Sequence, residues 1–408
     1  MKTLLSRAIF GACLGAMSAS TAIADEVILT HDKAFYSTFL QAVGDVCGFK
    51  EQAYTPPEQF KAFVQSSIAS GQTPEMFTWW SGATFRDEMV ATGQIAQLDD
   101  LWAELIANGS FTAASADPFT VDGHKYALPL AFNKWVMFYN PTLFAKAGIT
   151  GEPKTWDEMM ADADTLKAAG ITPFVATNQD GWRGFIWFEE IMIRLSPEKY
   201  LGLFDGTTSY SDPVVHQAFQ MWSDMYAKGY FSDPRSNQEV VDFAGGGGAM
   251  NLMGDWAVGL LTQAGMEVGK TLDAFVVPNV SADTPAGMIY EASPLMISVE
   301  AAKNPAVMDA MRCWASDEGA TVWANTSGLF MGNLNAPAPN AIVPKINKFS
   351  VDNNAALYSR WWEGVPADLQ GDSVAAFASF MLNPTMEQAD KVIAQVTGLH
   401  DAYWAEHK

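Results

Sequence analysis

The chain has 408 residues, 49% of them apolar, and a formal net charge of −22. That apolar content excludes a mainly disordered chain. The acidity repels phosphate backbones and anionic lipid surfaces, so nucleic acid is excluded as a natural partner.

The first 24 residues read as a secretory signal: Lys2 and Arg7 before a short apolar stretch from Ala8 to Met17, then an A-x-A site at Ala22-Ile23-Ala24. Cleavage there starts the mature chain at Asp25 and leaves about 384 residues with a charge of −24. The apolar stretch is too short to span a bilayer. Cys13 lies within it, but Phe10-Gly11-Ala12 suits lipoprotein processing poorly. A mature chain of this length predicts two lobes or domains rather than one core. Its two cysteines, Cys47 and Cys313, are compatible either with a disulfide, which the compartment allows, or with free buried thiols. The five histidines are scattered, with no pair at zinc-ligand spacing, and no cofactor is expected.

In chain order, Glu26 to Thr30 is a short apolar strand, followed by a helix from about Phe35 to Val46. Thr55 and Glu58 form a capping box for a helix with Phe60, Phe63, Val64 and Ile68 on one face. Met76 to Trp79 is the next buried strand, and Trp135 to Tyr139 another. Thr155 and Glu158 form a second capping box, with Met159, Ala163 and Leu166 buried and Gly170 as the stop. A strand is expected over Thr172 to Ala176. Asp212-Pro213 and Asn304-Pro305 each start a further helix, and strands are expected over Ala274 to Val277 and Leu295 to Val299. This alternation marks an α/β fold. No Pro- or Ser-rich linker divides the chain, so two lobes would be joined by strands, an arrangement suited to hinge closure.

Several runs, in order, resemble the extracellular solute-binding proteins of family 1, the maltose-binding-protein-like group. They are residues 73–77 (TPEMF) with Trp80 and 93–101 (GQIAQLDDL), 126–133 (YALPLAFN), 136–149 (VMFYNPTLFAKAGI), 153–158 (PKTWDE), 243–257 (FAGGGGAMNLMGDWA) and Asp317-Glu318-Gly319. The resemblance implies a type II periplasmic-binding-protein fold: two discontinuous α/β lobes with a ligand cleft between them. Lobe one would comprise 25–131 with 293–334, and lobe two 132–292 with 335–408. It implies a monomeric periplasmic protein that closes on a sugar and delivers it to the membrane permease subunits of an ABC importer. Glu291 departs from the pattern, standing where relatives often carry glycines.

Sugar recognition needs flat aromatic faces for the ring's C–H surfaces and planar polar groups for its hydroxyls. Trp80 and Ser81 follow the Met76–Trp79 strand, where ligands of α/β sheets gather, and alternation sends one of Trp79 and Trp80 outward; Trp80 is the expected stacking face. By resemblance, Asp32 and Lys33 reach the ligand from the first strand's turn, Asn133 contributes an amide at the first crossing with Lys134 beside it, and Asp180 and Trp182 supply an acid and a stacking ring. Asp255 and Trp256 line the cleft, Glu291 accepts hydroxyls at the second crossing, and Trp361 of the Trp361-Trp362 pair is the further aromatic. The bland alternatives are packing for the tryptophans, a solvated turn for Asp32, an Arg183 partner for Asp180 and a helix cap for Asp255. The glycines at 245–248 lack the GK[ST] of a phosphate loop. No hydrolase elbow, zinc helix or Cys–His nucleophile pattern appears, so no catalytic activity is expected. A secreted glycoside hydrolase and a binder of quaternary ammonium, in a tryptophan cage, are the competing readings.

Overall fold

In the computed structural model the described residues are 26–178 and 181–407. The secretory-signal reading and Asp180 therefore lie outside the described residues. The strands that organise the molecule are β1 (Val27–His31), β2 (Phe49–Ala53), β3 (Met76–Thr78), β4 (Leu128–Tyr139), β5 (Met250–Gly254), β6 (Asp273–Phe275), β7 (Gly287–Ile297) and β8 (Ala356–Ser359). They pair in the order β2-β1-β3-β7-β4-β5, with β8 added to β7 and β6 to β4. β1 pairs in parallel with β2 and β3, as helical crossovers require, whereas β3–β7, β7–β4 and β4–β5 are antiparallel.

Two long strands hold the architecture together. β4 has 12 residues and β7 has 11, lengths of about 40 Å at ~3.3 Å per residue. Each begins in one hydrophobic core and ends in another. Leu128 and Leu130 of β4 and Ala292, Leu295, Met296 and Ile297 of β7 belong to the core built around Leu29, Phe77, Trp314 and Trp323. Trp135 to Tyr139 of β4 and Met288 and Ile289 of β7 belong to the core built around Phe188, Trp222, Trp361 and Phe377. Between the cores the sequence turns polar, with Asn133 and Lys134 on β4 opposite Glu291 and Tyr290 on β7. The molecule is thus an α/β protein of two lobes, and the chain passes between them at a polar seam.

Helix starts follow local chemistry. Thr155 accepts the Glu158 N–H, Asp212 that of Val214 and Asn304 that of Ala306. The second box is displaced by one residue: Glu158 reaches back to the N–H of Lys154. Thr55 does not cap. Its helix starts at Pro57 with Pro56 as the capping position and no side-chain bond, because tandem prolines shift the first turn beyond the reach of the Thr55 hydroxyl. The first helix runs Ser37–Cys47, and Phe35 sits before it in a tight 3₁₀ turn. The stretch 172–176 is not a ladder strand; Phe174 makes single bridges to Phe231 and Met250, since Pro173 cannot donate. Cys47 and Cys313 are joined, with Cα atoms 5.3 Å apart, tying helix Ser37–Cys47 to helix Pro305–Ala315. This bond links two pieces of one lobe that are 266 residues apart in sequence.

Candidate functional site

The polar seam of the crossing strands is the floor of the candidate site. Asn133 and Glu291 are register partners on β4 and β7. Directly opposed residues project on one face of a sheet, so their side chains share a surface. The Asn133 side chain is buried, and its Oδ1 has no hydrogen-bond partner among the described residues. Buried acceptors left without donors are rare and point to a group that fills them. Arg360 steadies Glu291 from the side, its Nη1 lying 3.2 Å from Oε2. The same guanidinium donates from Nε and Nη2 to both oxygens of Glu363, at 2.9 and 2.6 Å. Burial opposes its charge, but the carboxylates of Glu291 and Glu363 outweigh burial and hold it protonated.

The first wall comes from the turn after β1. His31 is fully buried, and beyond it Asp32 and Lys33 form a 3.3 Å ion pair. The Lys33 ammonium lies 6.0 Å from the ring centre of Trp80. β3 ends one residue before Trp79, so the two tryptophans part company. Trp79 is buried in the core, while Trp80 is half-buried and packs edge-on against Trp79 and Phe60. Ser81 is buried beside it. Gly82 follows with a left-handed backbone, and a Cβ there would lie 2.0 Å from the Glu363 carbonyl. Only glycine lets this loop approach the opposite lobe so closely.

The second wall follows β5. The Asp255 N–H donates to the Lys134 carbonyl, which anchors the turn to β4. Burial pushes the Asp255 carboxyl up to about 7, Lys134 opposes the shift and Glu291 adds to it. Burial likewise lowers the Lys134 ammonium. Asp255 makes no side-chain cap; helix Ala257–Gln263 starts at Trp256 without one. The Trp256 ring lies over Gly254, whose Cβ position would be 2.3 Å from the indole nitrogen. Trp256 is half-buried and packs against both cores.

The two walls meet. The buried Tyr36 hydroxyl is raised first by burial and then by the charges of Glu291, Asp255 and Asp32, so carboxylates from three separate chain segments converge on one phenol. Phe35 stands beside Trp256 with ring centres 6.3 Å apart and half of its surface exposed, at 50%. Sequence reasoning missed Phe35 and Tyr36 by placing them at the start of a core helix. The available signal was an aromatic pair two residues after a charged turn at a strand end. Trp182 is half-buried, edge-on to Trp135 at 6.4 Å, with the Arg183 guanidinium 3.9 Å above its ring. Arg183 itself bonds Glu239 at 2.7 and 2.9 Å.

Trp361 does not reach the cleft. It is fully buried, its indole N–H donates to the Tyr210 hydroxyl at 2.6 Å, and its ring packs on Phe185 and Phe377. It opens a four-residue helix, where the first turn directs this ring into the lobe core and leaves its neighbour Trp362 half-buried. A separate cavity of about 900 Å³ lies on the second lobe, lined by Lys345, Ile346, Phe349 and the segment 275–282. It holds none of the expected site residues. The convergence of charge and aromatic faces marks the seam, not this cavity, as the site, and Gly82 against Glu363 narrows the seam from above.

Two lobes joined by crossing strands, with aromatic and carboxylate side chains facing each other across the seam, define a cleft-type solute-binding protein. The chain belongs to the bacterial extracellular solute-binding protein family, whose model matches residues 53–321. Among curated proteins it is similar to an uncharacterized ABC transporter extracellular-binding protein of Pyrococcus horikoshii, with 27% identity covering 53% of this chain and 50% of that one. It is also similar to a probable sugar-binding periplasmic protein of Brucella suis, with 33% identity over 36% of each chain, and to the diacetylchitobiose binding protein DasA of Streptomyces coelicolor, with 26% identity over 64% of this chain and 61% of that one. The chain thus spans half or less of the length of the first two relatives. A solved chitin oligosaccharide binding protein superposes with a TM-score of 0.80 at 23% identity, covering 93% of this chain and 98% of the other. A solved complex of RafE with raffinose superposes at 0.75 with 13% identity, covering 92% and 99%. These structural likenesses establish the shared fold.

Proposed function

We propose that this protein is the periplasmic sugar-binding component of an ABC importer. The observation that carries the reading is the buried acceptor Asn133 Oδ1, without a donor among the described residues, beside the carboxylate of Glu291, with half-buried aromatic rings contributed by both lobes. Adjacent sugar hydroxyls are donors that satisfy such acceptors, while ring C–H faces cover indoles. Trp80 and the Asp32–Lys33 turn bind from lobe one, Trp182 and Asp255–Trp256 from lobe two, and Asp180, two residues before Trp182 in sequence, joins them. Lobe one comprises 25–131 with 293–334 and lobe two 132–292 with 335–408, a division supported by the change of core along β4 and β7. The names of the Brucella and Streptomyces relatives support a sugar over a quaternary amine. Ligand contacts from both lobes exist together only in the closed form, so the sugar stabilises closure. The closed monomer then hands the sugar, unaltered, to the importer's permease subunits.

A thermal-shift panel of mono- and oligosaccharides, polyols and quaternary amines on the mature chain tests this. A native-state ligand raises the melting temperature with its concentration. A sugar hit, confirmed by calorimetry with the sugar recovered intact, supports the importer reading. Shifts with amines alone, or cleavage of the sugar, would overturn it.

A further inference from the structure

His31 is the last residue of β1 and has no exposed surface. Both ring nitrogens are engaged. Nδ1 faces the backbone N–H of Lys33 at 3.1 Å, and Nε2 lies 2.7 Å from Glu51 Oε2. A backbone N–H can only donate, so Nδ1 carries the lone pair. A carboxylate can only accept, so Nε2 carries the proton. Only the neutral Nε2–H tautomer satisfies both partners. Glu51 is itself oriented by the Ser37 hydroxyl, which donates to the same oxygen at 3.1 Å. The ring thus ties strand β2 and the first turn of helix Ser37–Cys47 to the turn that carries Asp32, Lys33 and Phe35.

We propose that His31 is a positioning residue that holds the Asp32–Lys33 turn in its sugar-binding shape, and that its protonation releases the turn and the sugar. This rests on the sugar-binding reading above. A proton on Nδ1 would face the Lys33 N–H donor to donor. The turn would have to break away, withdrawing Lys33 from Trp80 and Asp32 and Phe35 from the seam. The charged groups facing the imidazole are Glu51 from β2, and Asp32 and Lys33 from its own turn. Burial lowers its proton affinity below the free value of 6.5, against the raising effects of Glu51 and Asp32. The neutral, turn-holding form therefore prevails at neutral pH, and the loss begins only below that value.

Two substitutions separate the two nitrogens. His31→Asn places an amide oxygen near the Nδ1 position and keeps an acceptor for Lys33. His31→Gln reaches the Nε2 position, keeps a donor for Glu51 and loses that acceptor. With diacetylchitobiose as the probe, wild type should weaken as pH falls below 6.5. His31→Asn should bind within a few-fold of wild type at neutral pH with a shallower acid limb than wild type, what remains being the titration of Asp255, and His31→Gln should bind about tenfold more weakly at every pH. Equal losses in both variants, or a wild-type acid limb retained undiminished in His31→Asn, would overturn the proposal. Histidine-selective ¹⁵N NMR of the ligand-free wild type needs neither variant nor sugar. It should show the Nε2–H tautomer at neutral pH, with the Lys33 amide losing exchange protection as the ring protonates. An Nδ1–H tautomer, or a Lys33 amide indifferent to that titration, would sink it. Failure of diacetylchitobiose to bind wild type bears on the ligand reading and leaves these NMR outcomes decisive for His31.

Discussion

The chain carries two tandem tryptophan pairs, and both bury the first ring and leave the second half-buried, but for different reasons. At Trp79-Trp80 the first ring is core and the second is half-buried at the seam. At Trp361-Trp362 the first is core, bonded to Tyr210, and the second packs half-buried on Phe185. The first pair leaves the end of a strand, where successive side chains point to opposite faces, so the two rings must part. The second opens a short helix, where successive residues are about 100° apart and both can touch the same core. A sequence pattern therefore says that one ring of the first pair turns outward and is silent on the second.

Four experiments would break or sharpen that contrast. The largest effect is expected for Trp361→Ala, which empties a sealed site and strands the Tyr210 hydroxyl. Denaturant unfolding should show a loss of about 3–5 kcal/mol; a loss below about 1 kcal/mol would mean that the ring is not core. Trp80→Ala should do the reverse, with sugar affinity falling by about 2 kcal/mol, roughly thirtyfold, and stability changing by only about 1 kcal/mol. Calorimetry and unfolding on the same preparation separate the two terms, and unchanged affinity would remove Trp80 from the site. Gly82→Ala adds a methyl 2.0 Å from the Glu363 carbonyl on a left-handed backbone. The backbone alone costs about 1–2 kcal/mol, and small-angle scattering should show the sugar-bound variant more open than wild type. Identical dimensions would show that this contact does not limit closure.

The fourth effect is a pH dependence set by Asp255. Burial raises its folded value from 3.8 to about 7. The folded state then holds this proton more tightly than the unfolded chain does, so its contribution to stability is full at low pH and is lost as pH rises through that window. Melting temperature followed across the window should fall less steeply in Asp255→Asn than in wild type. A steeper fall in the variant would contradict the assignment.

Much of the fold was legible because local signals sufficed. Thr155, Asp212 and Asn304 cap their helices as short polar side chains must, and the apolar runs at 135–139 and 76–78 are strands. Legibility failed where neighbours decide. Pro56 and Pro57 moved a helix start away from Thr55, and Pro173 kept an apolar stretch out of the ladder. At the site, the residue types at 133, 255, 256 and 291 were readable from motif and resemblance. The exposure of Phe35 was not, because its period matched the helix that follows it.

The sequence by itself determined the α/β class, the need for more than one core, the acidic surface and the helix and strand boundaries governed by caps and alternation. Each of these depends on a residue and its near neighbours. Only the tertiary structure decided that Cys47 meets Cys313, that Asn133 faces Glu291, that Trp361 is core, and that His31 spans Glu51 and the Lys33 amide. Those pairings join segments separated by up to 266 residues. They are set by strand register and core packing, which no local pattern encodes.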